Sequence, residues 1–317
     1  MTSSNGRILV LAGGLSPERD VSIRSGRRVA EALRLTGADV EVRDLDAALL
    51  PALAADRPWC VVPLLHGAPG EDGAIRDVLE SLGLAYVGSG PSACRRAFDK
   101  PVSSSLVRAA GIAVPDSVAL PHSTFRELGA SYILDAVVSH LGLPLMVKPT
   151  RGGSSLGATA VRDAGDLPSA MVAAYAYGDI ALVERFVEGT EVAVSVVDDG
   201  DGPRALPVVE VVPDGGFYDY GARYTAGATE FFTPARLGDD VLAACADIAV
   251  RVHSTLGLRN WSRSDLIVDA QGVPWFLEVN VAPGMTETST YPQAIAAAGL
   301  DLGAVTAALV ERAVARH

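Results

Sequence analysis

The sequence predicts an α/β protein built from several domains, and three observations support this fold class. The chain has 317 residues, of which 49% are hydrophobic, so it is too long for one ordinary core and too apolar to be disordered. Its first elements alternate between buried apolar strands and helical periodicity. Short β-prone runs separated by glycine-rich turns recur through the rest of the chain. We therefore expect two or three domains.

The composition restricts the partners and the compartment. A net charge of -12 argues against nucleic acid as a partner, because a phosphate backbone requires a basic surface. No run approaches about 18 consecutive apolar residues and the N-terminus has no apolar signal core, so we expect a cytoplasmic protein with no membrane partner. The three cysteines, Cys60, Cys94 and Cys245, have no CxxC spacing. They are expected to be buried thiols.

The N-terminal segment predicts an open α/β sheet. A strand at 8–11 is followed by a helical pattern from Val21 to Leu33, and further strands are predicted at 39–42 and 60–65. A helix is expected at 74–82. Loops at the carboxyl ends of such strands bind ligands in open α/β sheets.

Several polar side chains of these loops are candidate ligand-binding residues. Glu18 and Ser22 follow the first strand, and His66 and Glu71 follow the third. Glu18 has the alternative role of a helix-capping carboxylate. The alternative for His66 is to anchor its loop.

A GxGxxA match at 88–93, after a strand predicted at 84–87, is the one indication of dinucleotide binding. It is weak, because a proline interrupts it and no acidic residue follows about 20 positions later in a βαβ unit. Helices are predicted next, at 100–110 with Gly111 as the stop and at 131–141.

The segment from Leu145 to Val161 predicts two strands joined by a glycine-rich loop. Glycines allow backbone N–H groups to turn toward an anion, and Ser154 and Ser155 add hydroxyl donors. Lys148 precedes the glycines on the strand, so the segment is not a Walker A loop. The alternative is a flexible hairpin tip that binds nothing.

Further elements are expected along the C-terminal half. Strands are predicted at 180–187, around Glu184, and at 192–197. The long loop at 216–227 is rich in glycine and tyrosine, which favours an active-site lid; a packed surface cluster is the alternative. Helices are expected at 239–256 and 302–315.

Lysine is nearly absent from the chain. Of the 26 basic residues, Lys100 and Lys148 are the two lysines. A strong preference for arginine removes lysine wherever arginine serves as well, and a lysine ammonium is a compact point charge that arginine does not imitate. Both positions are therefore functional candidates.

The stretch from Trp261 to Asn280 predicts a hairpin with a turn at Gln271-Gly272. Residues i and i+2 of a strand share a face, so Glu278 and Asn280 project together and a paired strand brings Asp265 beside them. Two carboxylates and an amide oxygen are ligands suited to Mg²⁺. Arg263 lies on the same face as Asp265. The alternative is a solvated hairpin with an ordinary polar face.

The motifs in chain order resemble those of the D-alanine:D-alanine ligases, which are ATP-grasp enzymes. The resemblance extends from about Ile8 to Gly299. It rests on Gly13-Gly-Leu-Ser-Pro-Glu-Arg-Asp-Val-Ser, His66-Gly-Ala-Pro-Gly-Glu-Asp-Gly, Phe98-Asp-Lys, Val147-Lys-Pro, Gly153-Ser-Ser-Leu-Gly, Phe217-Tyr-Asp-Tyr, Arg263-Ser-Asp and Glu278-Val-Asn-Val-Ala-Pro-Gly-Met-Thr.

The resemblance implies a three-domain α/β ATP-grasp fold with an N-terminal parallel-sheet domain. We expect the domains at 1–94, 95–183 and 184–317. ATP is implied as co-substrate, with two Mg²⁺ ions that Mn²⁺ is able to replace. A homodimer formed through the N-terminal domain is also implied.

The resemblance further assigns roles to individual residues. The nucleotide-binding residues are Lys100, Lys148, Ser154, Ser155, Glu184, Phe186, Val187, Glu191 and Arg223. The metal ligands are Asp265, Glu278 and Asn280. The catalytic residues are Glu18, Ser154, Tyr224, Arg263 and Gly284, and the substrate-binding residues are Glu18, His66, Arg263, Gly284, Ser289 and Thr290.

The implied reaction forms an acyl phosphate from one D-alanine and an amide with the second, for peptidoglycan. Three positions depart from the family pattern. Arg223 replaces a lysine, Thr290 replaces a leucine, and the segment Pro-Val-Ser-Ser-Ser directly after Lys100 lacks a lysine that is often found there. These departures leave open a different acceptor, such as D-serine, D-lactate or an amino acid of specialised metabolism. The alternatives from other classes are a non-catalytic nucleotide-binding sensor and a nicotinamide-dependent oxidoreductase.

Overall fold

A computed structural model describes residues 6–214 and 227–317, and within them three β-sheets are covered by helices. The strands are β1 (Ile8–Leu11), β2 (Val40–Arg43), β3 (Cys60–Pro63), β4 (Ser117–Pro121), β5 (Leu145–Pro149), β6 (Thr159–Val161), β7 (Ile180–Arg185), β8 (Thr190–Val197), β9 (Arg204–Ala205), β10 (Val209–Pro213), β11 (Thr229–Phe232), β12 (Trp261–Val268) and β13 (Pro274–Asn280). The helices are α1 (Arg19–Leu35), α2 (Leu49–Ala55), α3 (Ala74–Ser81), α4 (Pro91–Phe98), α5 (Lys100–Ala109), α6 (His122–Leu128), α7 (Ala130–Leu141), α8 (Leu167–Tyr175), α9 (Asp239–Thr255), α10 (Thr290–Ala297) and α11 (Leu302–Ala315). A 3-10 turn spans Ala164–Asp166.

The first sheet is parallel, with strand order β2-β1-β3. Alternate residues of β1 face opposite sides, and both sides are buried. Ile8 and Val10 belong to a core shared with α1 and α11, whereas Leu9 and Leu11 belong to a core shared with α2 and α3. Helices on both faces explain why β1 is a continuous apolar run.

The second sheet is antiparallel, with strand order β4-β7-β5-β6. Leu145 and Val147 of β5 face a core formed with α7 and α8. Lys148, one residue further, points to the opposite face. Because Leu145 and Val147 are held in the core, the side chain of Lys148 must project from the opposite face of β5.

The third sheet contains six strands in the described residues, with the order β11-β10-β8-β12-β13 and β9 paired to β8. Val192, Val194 and Val196 of β8 face a core that includes α4, α5 and α9. The residues between these valines face the opposite side, where the neighbouring strand β12 carries its polar side chains. The turn between β12 and β13 contains Gly272 with a φ of 78°, as the sequence predicts.

The three parts are joined by elements that cross between them. Helices α10 and α11 contribute to the core of the first sheet, so the chain returns to its N-terminal region. Helix α4 spans the predicted boundary at 94, and strand β7 spans the predicted boundary at 184. We retain the three domains as a proposal.

Most predicted elements are confirmed with end shifts of one or two residues, but one strand prediction is wrong. Residues 84–87 form only a parallel bridge, Val61 to Tyr86, because Gly88 with a φ of 109° turns the chain away from the sheet. Cys60, Cys94 and Cys245 are buried free thiols, as expected.

No single helix within the described residues is both long enough and apolar enough to span a membrane. The bent pair Thr290–Ala297 and Leu302–Ala315 meets the length and composition criteria when the two helices are taken together.

Candidate active site

The hairpin of β12 and β13 brings together the polar residues predicted on one face. In the strand register Asp265 lies opposite Glu278, and Arg263 lies opposite Asn280. A β-bulge follows Asp265, and a bulge bends its strand and changes the direction of the neighbouring side chains. The alternation argument for a shared face is therefore confirmed.

Arg263 and Asp265 form a two-pronged ion pair. The Nε and Nη2 atoms of Arg263 lie 2.7 and 2.8 Å from the two carboxylate oxygens of Asp265. The side chains are 13% and 9% exposed, so water screens the pair weakly. This bond holds the guanidinium in a fixed orientation.

Lys100 connects the hairpin to the glycine-rich loop. Its Nζ lies 3.0 Å from Glu278 Oε2 and donates a hydrogen bond of 2.7 Å to the carbonyl of Gly152. The lysine begins helix α5, and Asp99 caps that helix through the backbone N–H of Val102. One ammonium group thus contacts both sides of the site.

Lys148 is paired with Glu184 across the second sheet. Their strands are neighbours, and Nζ of Lys148 lies 2.5 Å from Glu184 Oε1. The side chains are 12% and 7% exposed. Both lysines singled out by composition are therefore buried and fixed by carboxylates.

A cleft of about 550 Å³ lies between the second and third sheets. Its lining includes most of the predicted nucleotide-binding residues: Lys100, Lys148, Ser155, Glu184, Phe186, Val187 and Glu191. Apolar side chains line it as well: Met146, Leu156, Ile267 and Leu277. The cleft combines apolar walls with cationic groups, which is typical of a nucleotide site.

The glycine-rich loop reaches across to the first sheet. Ser154 and Ser155 have φ values of 55° and 56°, a left-handed conformation that costs energy for residues other than glycine. The Ser154 hydroxyl donates a hydrogen bond to Glu18. The paired strands β5 and β6 confirm the predicted hairpin. The contact with Glu18 packs its loop against the N-terminal region, and anion binding by the loop stays a prediction.

Glu18 occupies the N-cap position of α1 but its side chain makes no capping hydrogen bond. The capping interpretation is therefore wrong. The carboxylate is buried and lies close enough to the loop that a Cβ on Gly153 would be 3.1 Å from Oε1. A side chain at position 153 would require the Glu18 carboxylate to shift by a few tenths of an ångström.

A smaller pocket of about 70 Å³ adjoins the cleft, and we call it the inner pocket. It shares Gly153, Glu191, Asp265 and Glu278 with the cleft. Its lining contains nearly all predicted substrate and catalytic residues: Glu18, His66, Ser154, Arg263, Asn280, Gly284, Ser289 and Thr290. The structure therefore brings together residues from all three sheets.

His66 and Glu71 are buried beside the inner pocket with shifted pKa values. Burial lowers the pKa of His66 to about 4, so the imidazole is neutral near pH 7. Burial, followed by repulsion from Glu18, raises the pKa of the Glu71 carboxyl well above its ordinary value. His66 Nε2 lies 3.3 Å from Ser25 Oγ, so His66 also anchors its loop.

Gly284, Thr286, Ser289 and Thr290 form the far wall of the inner pocket. A Cβ on Gly284 would lie 2.8 Å from Ser289 Oγ. The backbone N–H of Thr286 donates a bond of 3.0 Å to that oxygen, which fixes the serine. The Oγ1 of Thr290 is buried and has no hydrogen-bond partner within the described part of the chain.

The hairpin residues fit a divalent cation, although residues 6–214 and 227–317 contain no group of three His, Cys, Asp or Glu suited to a metal. Two carboxylates and one amide form an all-oxygen donor set, and each oxygen has more than one lone pair. The Oδ1 of Asn280 accepts one hydrogen bond, of 2.7 Å, from the N–H of Ala282. Asp265, Glu278 and Asn280 each therefore keep an oxygen lone pair that is able to coordinate a cation.

Two predicted residues, Arg223 and Tyr224, lie outside the described residues, as do positions 216–226 of the predicted lid.

Other residues at the site were not predicted from the sequence. Arg236 and Glu210 line the cleft and are paired at 2.7 Å, and this hydrogen bond lowers the pKa of Glu210. Ser25 receives the N–H of Met285 at 3.0 Å and so links α1 to the inner pocket.

Comparisons with known proteins agree with this geometry. A family model described as D-ala D-ala ligase C-terminus matches residues 106–311. The chain is 42% identical over 295 residues to the D-alanine–D-alanine ligase of Anaeromyxobacter sp. (strain K), covering 93% of this chain and 92% of that protein.

Solved structures give the same result. The VanG D-Ala:D-Ser ligase from Enterococcus faecalis is similar with a TM-score of 0.83 and 27% identity, covering 98% of this chain and 99% of that one. The D-alanine–D-alanine ligase from Bacillus anthracis complexed with ATP has a TM-score of 0.79 and 25% identity, covering 98% of each chain. These similarities extend over all three sheets.

Proposed function

This chain belongs to the D-alanine–D-alanine ligase family, and from that membership we propose that it joins two molecules of D-alanine, with conversion of ATP to ADP and phosphate. The product would serve peptidoglycan synthesis. The observation that carries the proposal is the junction of the cleft with the inner pocket at Asp265 and Glu278. A phosphoryl donor in one space and an acid in the other would meet there.

ATP is assigned to the cleft. Phe186 and Val187 with Met146 supply apolar surface for the base, and Glu191 supplies an acceptor for the ribose. Lys148 and Lys100 supply positive charge for the phosphates, with Ser155 as a hydroxyl donor. The γ-phosphate end lies toward Asp265 and Glu278, because these residues also line the inner pocket.

Asp265, Glu278 and Asn280 would hold Mg²⁺, which supplies charge neutralisation for the transferred phosphoryl group when bound. The positively charged side chains of Lys100 and Arg263 act beside the same metal ligands. Lys100 and Arg263 each contact one of the two carboxylates, and so lie beside the position of the reacting phosphoryl group. Their fixed positive charge favours the spread of negative charge in the transition state.

The first D-alanine is assigned to the inner pocket. Glu18 would bind its ammonium group, and Arg263 with the N–H of Gly284 would bind its carboxylate. A carboxylate oxygen attacks the γ-phosphorus, the bond to ADP breaks, and an acyl phosphate forms. Ser154 holds Glu18 and so positions the ammonium site. Neutral His66 would add a hydrogen bond without adding charge.

The second D-alanine would bind through its carboxylate at Ser289. Its neutral amine attacks the acyl carbon, the bond to phosphate breaks, and one of the two amine protons passes to the released phosphate, so that the amide keeps one N–H. Arg263 and the Gly284 N–H would stabilise the oxyanion, an effect of about 3 to 4 kcal/mol per donor in comparable sites. The inner pocket's small volume excludes water that would hydrolyse the acyl phosphate.

The test is turnover with defined amino acids. Purified protein with ATP, Mg²⁺ and D-alanine should release ADP and phosphate in equal amounts, and mass spectrometry should show D-alanyl-D-alanine. L-alanine serves as the control for chirality. ATP hydrolysis without dipeptide, or no turnover with D-alanine, would reject the proposal.

A second candidate is a ligase with a hydroxylated acceptor such as D-serine. It is favoured by the buried, unpartnered hydroxyl of Thr290 in the inner pocket and by the similarity to a D-Ala:D-Ser ligase. A pocket hydroxyl that binds a substrate hydroxyl contributes roughly 1 kcal/mol. Thr290→Val should therefore lower the D-serine to D-alanine ratio of kcat/KM about fivefold.

The matched control is Thr124→Val on α6, far from the pocket, which should leave that ratio unchanged. An equal effect of Thr290→Val on both acceptors would show that the hydroxyl does not select the substrate. The panel should include D-lactate.

We also propose a cytoplasmic location, where ATP is available, and a homodimer. Light scattering on the purified chain tests the dimer. A mass equal to the 32.8 kDa of one chain at micromolar concentration would contradict it.

A further inference from the structure

A third cavity, of about 270 Å³, lies beside the linker at 110–116 that joins α5 to β4. We call it the linker pocket. It shares Arg185 alone with the cleft and no residue with the inner pocket. Three of its side chains are basic and one is acidic, and its full lining is Arg108, Asp116, Ser117, His140, Leu141 and Arg185. The ligase reaction uses none of these side chains.

The linker brings the two arginines of this pocket together. Nη2 of Arg108 donates hydrogen bonds of 3.1 and 2.8 Å to the carbonyls of Val114 and Pro115. The backbone N–H of Arg185 donates a bond of 2.9 Å to the carbonyl of Asp116. Both arginines are therefore fixed to consecutive linker residues, and both line the same cavity.

The strand register gives the direction of the Arg185 side chain. Arg185 lies opposite Leu145, and opposite residues of paired strands share a face. Leu145 faces the core formed with α7 and α8, so Arg185 projects from that face, whereas its neighbour Glu184 projects toward the cleft. Helix α7 ends there with His140 and Leu141, and the buried Leu141 gives the pocket an apolar floor.

The positive charge of the pocket is mostly uncompensated by protein. Within residues 6–214 and 227–317 the side chains of Arg185 and His140 form no hydrogen bond or ion pair. Asp116 lies 3.7 Å from Nη2 of Arg108 and its side chain is 72% exposed, so this pair is screened by water and weak. Two arginines against one aspartate leave a positive surplus in a chain whose net charge is -12.

Helix ends account for only part of this charge. Arg108 and His140 lie in the last turns of α5 and α7, where a positive charge stabilises the helix dipole. Arg185 ends a strand and has no such role. Its guanidinium adds charge to the cavity and not to a carboxylate of the protein.

We propose that the linker pocket binds a phosphate group, either as inorganic phosphate or as the phosphate ester of a small metabolite. A guanidinium matches the spacing of phosphate oxygens, and Ser117 and His140 offer further donors. A phosphate ester carries a charge of about -1.5 to -2 near pH 7, so it competes with Asp116 better than a single carboxylate does. The cavity is larger than one ion, and it therefore has room for an ester group.

The bound phosphate would connect two parts of the chain. Arg108 belongs to α5, which packs in the core of the third sheet through Val107. Arg185 and His140 belong to the second sheet and its covering helix. These two sheets form the walls of the cleft, so the phosphate would hold the linker between them. The proposal rests on the pocket and not on the ligase reaction.

Crystals of the full chain soaked in sodium arsenate, which has the shape and charge of phosphate, test the site directly. A non-hydrolysable ATP analogue and Mg²⁺ in the soak occupy the cleft. With data collected at the arsenic absorption edge, we expect an anomalous peak within hydrogen-bonding distance of the guanidinium groups of Arg108 and Arg185. An empty linker pocket at high arsenate concentration would overturn the proposal.

Calorimetric titration of the same complex with sodium phosphate, at constant ionic strength, gives the solution test. We expect one site with a Kd on the order of 1 mM, the value of two charge-assisted hydrogen bonds. Arg185→Gln should raise this Kd about tenfold or more, and His140→Gln about threefold. Arg126→Gln, which removes an exposed charge from α6, is the matched control and should keep the wild-type Kd.

Glycerol 3-phosphate, titrated in the same way, distinguishes the two sources of the phosphate group. Tighter binding than inorganic phosphate would support an ester as the ligand, and weaker binding would support the free ion. An unchanged Kd in Arg185→Gln would reject the site. An arsenate peak without measurable binding in solution would show binding at crystal concentration only and would also reject it. Failure of the ATP analogue to bind would count against the ligase proposal, while Arg185-dependent phosphate binding would still be measurable.

Discussion

The cleft and the inner pocket are adjoining spaces built in different ways. The charged groups of the cleft lie mainly on strands and are paired across neighbouring strands, as Lys148 is with Glu184. The inner pocket is formed where loops of the first and second sheets meet the third sheet, and its contacts join residues far apart in sequence, such as Ser154 and Glu18. The cleft is therefore a product of sheet register, whereas the inner pocket depends on how the three sheets are held together.

Because of this difference, we expect substitutions in the inner pocket to lower kcat and substitutions in the cleft to raise KM for ATP. The largest effect is expected for Arg263→Lys, in the inner pocket. Lysine keeps the charge but loses the two-pronged bond to Asp265, so the group that stabilises the oxyanion is displaced. We expect kcat to fall by about 10²- to 10³-fold, with KM for ATP changed little, in a coupled assay of ADP release.

Arg251→Lys is the matched control, because Arg251 forms an exposed pair with Asp247. It should keep wild-type kinetics. An equal loss in both variants, or a loss confined to KM for ATP in Arg263→Lys, would contradict the division between the regions.

The next largest effect is expected in the cleft. Lys148→Met removes a cation assigned to the phosphates and leaves Glu184 buried without its partner. KM for ATP should rise by about 10- to 100-fold, the value of a charge-assisted hydrogen bond, while KM for D-alanine changes little. Lys148→Arg keeps the positive charge, so its KM for ATP should lie between the values of the wild-type protein and Lys148→Met.

The double variant Lys148→Met, Glu184→Gln removes the unpaired carboxylate and checks for simple destabilisation. Its Tm should recover toward the wild-type value while KM for ATP stays high. A recovered KM would mean that Lys148 acts on the fold and not on the nucleotide.

The smallest expected effect concerns Glu71 beside the inner pocket. Its pKa is raised in the folded chain, so the folded state binds more protons than the unfolded state between the ordinary carboxyl pKa and the raised one. Folding stability should therefore fall as pH rises through this window, by at most about 1.4 kcal/mol per pH unit. Glu71→Gln should flatten that decline in urea unfolding measured from pH 5 to 8.

The exposed Glu127 provides the control. Glu127→Gln should retain the wild-type slope. An unchanged slope in Glu71→Gln would show that the carboxyl is ionised in the folded chain.

The same comparison explains how much of the site was predictable from the sequence. Strand periodicity placed Asp265, Glu278 and Asn280 on one face, and the register confirms it. The bias against lysine identified Lys100 and Lys148, which the structure finds buried and paired. The shared face was predictable because the side chains of a strand alternate between its two faces, which depends only on sequence spacing.

Strand ends and strand periodicity indicated Glu18, His66 and Arg263 of the inner pocket, whereas its other substrate residues, Gly284, Ser289 and Thr290, were predictable only through the family resemblance. The fold implied by that resemblance is confirmed by the similar solved structures. No local pattern indicates that Ser25 joins α1 to Met285, because the contact depends on the packing of α10 and α11 against the first sheet. The short helices α2 and α10 were missed because seven or eight residues give too little periodicity to detect.

The central claim is that the acid in the inner pocket is activated by direct transfer of a phosphoryl group from the cleft. D-alanine labelled with ¹⁸O in its carboxylate tests it, with the released phosphate analysed by ³¹P NMR or mass spectrometry. If an acyl phosphate forms, each phosphate released with dipeptide carries one labelled oxygen. Phosphate without label, formed together with dipeptide, would contradict the account.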